Sequence, residues 1–97
     1  MSSRKEYFLR LLADVPNVSI DIDMDSTSME ELGELVARVT RRRMAIARVV
    51  EEAHKTPRGM LPMRFIREAD ILLGNCEKQV RLATELLVSY QEHHQGG

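Results

Sequence analysis

Between residues 62 and 93 apolar side chains return on alternating steps of three and four without a break: Ile66, Ala69, Leu73, Cys76, Val80, Ala83, Leu87 and Tyr90. Four heptads with apolar a and d positions specify a long helix with one side buried against another helix. Phe65, Leu72 and Leu86 broaden that stripe on one flank beyond what a two-helix seam requires, which points to a bundle. These three are the apolar residues expected to meet a partner.

A second helix is expected over about residues 28–55. Ser28 and Glu31 have capping-box spacing, Glu30, Glu31 and Glu34 suit the positive start of a helix, and His54 and Lys55 suit its end. Leu32, Leu35, Val39, Ile46, Val49 and Ala53 form its seam, interrupted only by Arg42 at a d position. The segment HKTPRGMLP, with Pro57, Gly59 and Pro62, is a punctuated turn. Helices of roughly 40 and 45 Å on either side of it pair antiparallel. The predicted core seam is therefore Leu32, Leu35, Val39, Ile46 and Val49 against Ile66, Leu73, Val80, Leu87 and Tyr90.

Residues 1–27 read differently. Ser3 and Glu6 have capping spacing, Phe8, Leu9, Leu11, Leu12 and Val15 supply an apolar face, and Pro16 stops the helix. At three turns it is marginal alone and must dock. From Val18 to Met24 the pattern alternates strictly, with Ser19, Asp21, Asp23 and Asp25 between apolar residues, which reads as an extended acidic connector with one side on the helices. The expected fold is all-α: one domain with a short docking helix, an extended acidic connector, and a long antiparallel hairpin over 28–95 completed as a bundle by dimerisation or partner helices.

The net charge of −1 over 97 residues conceals a segregation. Residues 1–37 hold three Lys or Arg against eight carboxylates, residues 38–67 nine against two, and the remainder two against five. That order suits self-pairing or an acidic partner for the middle block. Arg41, Arg42 and Arg43 are the basic residues expected to contact a partner, with Arg42 setting register where an acid meets it in the seam. Three consecutive helical residues point in different directions and no aromatics interleave with them, so nucleic acid is a minor expectation. No apolar run approaches the roughly 18 residues of a membrane span, and charges interrupt the apolar run at the amino end, unlike a secretory signal; an intracellular location is expected.

No catalytic residue, metal site or cofactor is expected. Asp21, Asp23 and Asp25 have the spacing of a calcium loop, but Ser26 stands where the turn needs Gly and Leu32 where a closing Glu belongs. Cys76 falls at a d position and reads as a buried packing residue. His93 and His94 are adjacent and therefore diverge on a helix.

The stretch Phe8, Leu9, Leu12, Val15, Pro16 and the stretch Glu77, Lys78, Val80, Leu82, Ala83, His93 resemble the opening and closing patterns of the N-terminal helical domain of the inhibitor of growth (ING) family. After the proline that family carries a helical stretch, where this chain has VSIDIDMD. The resemblance implies a helical hairpin that dimerises or acts as a scaffold subunit of a histone acetyltransferase or deacetylase complex in the nucleus. Arg43, Lys55, Arg67 and Glu68 resemble the cations and carboxylate of the all-helical chorismate mutases, which implies an enzyme as the alternative. Arg64 stands where those enzymes place an Asp, and the first helix offers no clear Arg counterpart. A bacterial helical chaperone or adaptor is a third reading.

Overall fold

A computed structural model describes residues 4–15, 17–20, 22–23, 25–57 and 59–95. Ser3, Pro16, Asp21, Met24 and Arg58, to which the sequence assigns cap, stop, connector and turn roles, lie outside them. Among the described residues the chain is all-helical, with α1 at Arg4–Ala13, α2 at Met29–Lys55 and α3 at Met63–Gln95.

The boundaries follow from local chemistry. Ser28 has extended backbone angles and its hydroxyl accepts from the Glu31 amide at 3.2 Å, satisfying a donor that the first turn of α2 leaves open. At the other end the Thr56 amide donates to the Ala53 carbonyl at 3.2 Å and its hydroxyl to the Glu52 carbonyl at 3.0 Å. In the turn, the Met60 amide reaches the Pro57 carbonyl at 3.2 Å, and Gly59 takes a φ of 90°, a conformation costly for any residue with a Cβ. The Pro62 carbonyl then accepts from Phe65 at 3.0 Å, starting α3.

α2 and α3 pack along their length as the antiparallel hairpin that the heptads and the short turn imply. On α2, Leu32, Leu35, Val39, Ile46, Val49 and Ala53 are all buried. The buried line of α3 is different from the expected one: Ala69, Cys76 and Ala83, seven residues apart, are fully covered, whereas Ile66, Leu73, Val80, Leu87 and Tyr90 are half-buried. Small side chains let α2 settle directly over the d row, and the larger a-position residues are displaced to one side of the contact.

The N-terminal segment covers the opposite side of that row. Phe8, 2% exposed, inserts among Val49, Ala53, Leu61 and Phe65, its ring centroid 6.2 Å from that of Phe65. The connector forms no strand among the described residues, yet its alternation is real: Val18, Ile20 and Ile22 pack on Leu35, Val39 and Ala83, while Ser19 and Asp23 face water. The result is a rod of 60 × 19 × 15 Å. Its radius of gyration is 17.0 Å, against about 12.5 Å for a globular chain of this length.

Candidate protein-interaction site

Arg42 is the one charge in the α2 seam, and the structure turns it toward the N-terminal segment. Its Nη1 donates to Gln79 Oε1 at 2.9 Å and to Cys76 Sγ at 3.1 Å, and Nη2 donates to Asn17 Oδ1 at 3.1 Å. Gln79 in turn donates from Nε2 to the Val18 carbonyl at 2.9 Å. One guanidinium thereby ties α2, α3 and the connector together. The acid expected to meet Arg42 in the seam is replaced by neutral dipoles: among the described residues no carboxylate pairs with it, and its buried Nε has no hydrogen-bond partner. Gln79, half-buried on α3, escapes the sequence reading because a single Gln on a long helix carries no periodic signal.

Cys76 is 0% exposed at the centre of the α2–α3 contact. Burial pushes its thiol pKa up, and the neighbouring Arg42 guanidinium offsets only part of that. The site therefore holds a protonated, packed thiol.

The three consecutive arginines separate, as helical geometry requires. Arg41 and Arg42, with Arg38 and Ala45, form one wall of a groove whose other wall is Asp14, Val15, Asn17 and Val18; its volume is about 550 Å³. Arg43 is half-buried on the other side of α2. A second groove of about 290 Å³ shares Val15 and Ala45 and continues past Leu11, Arg48, Val49 and Glu52 to Tyr7.

Of the apolar residues expected to face a partner, Phe65 needs correction. Phe65 is 5% exposed and belongs to the core around Phe8. Leu72 and Leu73, both half-buried, pack with Leu12 and Val15 on the core around Ile46 and Cys76. Leu86 lies on the flank of Phe65 and Leu72 by its spacing and is half-buried. On this flank the chain's own N-terminal segment meets Phe65 through Phe8 and Gln79 through the Val18 carbonyl. The other flank is Ile66, Leu73, Val80 and Leu87, all half-buried, the first three of them packed against the core. It is bridged near the turn by His54 Nε2 and Asp70 Oδ1 at 2.8 Å.

Other candidate residues disperse. Arg43 lies twelve residues, or about 18 Å, from Lys55, whose ammonium bonds Glu51 at 3.0 Å; Glu68 accepts from Arg64 at 3.3 Å, and Arg67 is exposed. Within one chain these four do not converge. Asp23 is engaged in a turn, its carboxylate accepting from the Asp25 amide at 3.0 Å and its carbonyl from Thr27 Oγ1 at 2.6 Å. Of the residues behind the ING resemblance, Phe8, Leu12, Val15, Val80 and Ala83 contribute to the core, whereas Leu9 and Leu82 are exposed. No described helix is long and apolar enough to cross a membrane. No protein-family model, curated protein or solved structure matches the chain.

Proposed function

We propose that the chain is a non-catalytic helical interaction module whose half-buried α3 flank, Ile66, Leu73, Val80 and Leu87, is covered by a partner helix, with a second copy of the chain as the occupant. The observation that carries this reading is area. The molecule exposes 7241 Å², against about 5,700 Å² for a globular monomer of 11.1 kDa. The excess, about 1,500 Å² on one chain, exceeds the roughly 800 Å² that each partner contributes to a standard protein–protein interface. The half-buried row Ile66, Leu73, Val80, Leu87 supplies the apolar knobs for such a contact, and Arg43 in its middle selects the partner by charge. The ING resemblance of the first and last helices makes a histone-modifying complex the heterologous partner to try first.

Leu86 and Leu87 provide a matched test, since they are adjacent, identical and half-buried but sit on opposite flanks. Sedimentation equilibrium should show a dimer that Leu87→Glu converts to monomer and Leu86→Glu leaves intact. A wild type that stays monomeric up to its solubility limit would overturn the self-association.

A further inference from the structure

The crevice between α1 and α2 is a separate surface, on the side of the hairpin away from the flank of Ile66, Leu73, Val80 and Leu87, and its chemistry points to a different occupant. Its two grooves join at Val15 and Ala45 and run along α2 from Arg38 to Glu52. Fourteen residue-to-residue steps of helix make that about 21 Å. Leu11, Val15, Val18, Ala45 and Val49 give it an apolar floor. Around that floor, among the described residues, stand Arg38, Arg41, Arg42 and Arg48 against two carboxylates, Asp14 and Glu52. Among the described residues Arg41, Arg42 and Arg48 pair with no carboxylate, and Arg38 meets only the exposed Glu34 at 3.8 Å.

From this geometry we infer that the α1–α2 crevice docks an acidic amphipathic helix of a partner protein. An occupant must be elongated, because a compact ligand fills only one end of a groove this long. It must be apolar on one side to match the floor and anionic at its edge to meet the rim. The rim cations Arg38, Arg41 and Arg48 repeat at i, i+3 and i+10, so carboxylates on a helix at matching spacing, about 4.5 and 10.5 Å apart along its axis, lie opposite them. Arg42 is already engaged by Gln79, Asn17 and Cys76, which leaves Arg38, Arg41 and Arg48 as the cations that meet the carboxylates. A polyphosphate backbone fits less well: the floor offers it nothing, and Tyr7 is the only aromatic ring along the walls.

The test uses the full chain and a fluorescently labelled helical peptide of Ala, Leu and Glu, with Leu on one face and Glu at i, i+3 and i+10. A peptide with Gln at each Glu position and a DNA duplex serve as comparison probes. Anisotropy titration should give saturable binding of the Glu peptide, weakened at least about tenfold by Arg41→Glu with Arg48→Glu and unchanged by Arg67→Glu on α3. Arg41, Arg48 and Arg67 are exposed, so the variants keep the helical circular dichroism of the wild type. Equal binding of the Gln peptide, an equal effect of Arg67→Glu, or tighter binding of the duplex than of the peptide would each overturn the assignment. Because the readout is peptide binding and the mutated residues are off that α3 flank, the outcome is independent of whether the chain dimerises.

Discussion

Nη1 of Arg42 stands 2.9 Å from Oε1 of Gln79, joining the two long helices through a charged donor and a neutral acceptor. The same Gln79 amide holds the Val18 carbonyl, so the pair also holds the connector against the hairpin. A charge placed in an apolar seam is tolerated here because it exchanges water for three oriented acceptors and keeps part of its surface at the groove wall.

That pair should be energetically coupled. In a double-mutant cycle with Arg42→Met and Gln79→Ala, urea denaturation should return a coupling energy of about 1–2 kcal/mol. Methionine keeps the apolar stem, so the cycle isolates the hydrogen bond. A coupling near zero would mean that the two side chains share only a location.

Phe8 is the anchor of α1. Truncating a ring this buried costs about 3 kcal/mol or more, and a ten-residue helix has too few other contacts to stay docked without it. Phe8→Ala should strip hydrogen-exchange protection from Arg4–Ala13 while the central turns of α2 and α3 keep theirs. Loss of protection throughout would show that the hairpin does not stand without α1.

Cys76 gives the pH dependence a definite sign. Its thiol pKa is raised in the folded chain by burial, so between the ordinary thiol value, about 8.5, and the higher folded value the unfolded chain binds fewer protons than the native one. Stability is therefore full below that window and declines as pH rises through it. The urea midpoint of the wild type should fall more steeply above about pH 8.5 than that of Cys76→Ala. Thiol labelling at neutral pH should proceed only as fast as the hairpin opens.

Two glycines should respond in opposite directions. Gly33 lies within α2 with open space where a Cβ would go, so Gly33→Ala should raise stability by about 0.5–1 kcal/mol. Gly59 also has open space, but its φ of 90° is strained for alanine, so Gly59→Ala should lower stability by about 1 kcal/mol or more. Thermal melts of the two variants should move apart around the wild type.

The elements themselves are written locally. Ser28, the turn around Gly59 and Pro62, and the heptads place both long helices, and period-two alternation identifies which side of the connector packs even though no strand forms. The candidate site was legible only in part. Arg42 stands out in sequence as a charge in an apolar seam, but Gln79 and Asn17, which receive it, lie 37 and 25 residues away and follow no period.

By itself, then, the sequence determined two long antiparallel helices, a short docking helix and an apolar stripe on α3 too wide for one neighbour. Only the tertiary structure decided which flank of that stripe the N-terminal segment meets. In sequence the flanks are nearly equivalent, with Phe65, Leu72 and Leu86 on one side of the Ala69–Cys76–Ala83 row and Ile66, Leu73, Val80 and Leu87 on the other. A helical period reports which residues share a side and contains nothing about what approaches it. Phe8 packing on Phe65 and Asn17 accepting from Arg42 bring the N-terminal segment onto the first flank, and that single placement shapes the arginine-lined crevice.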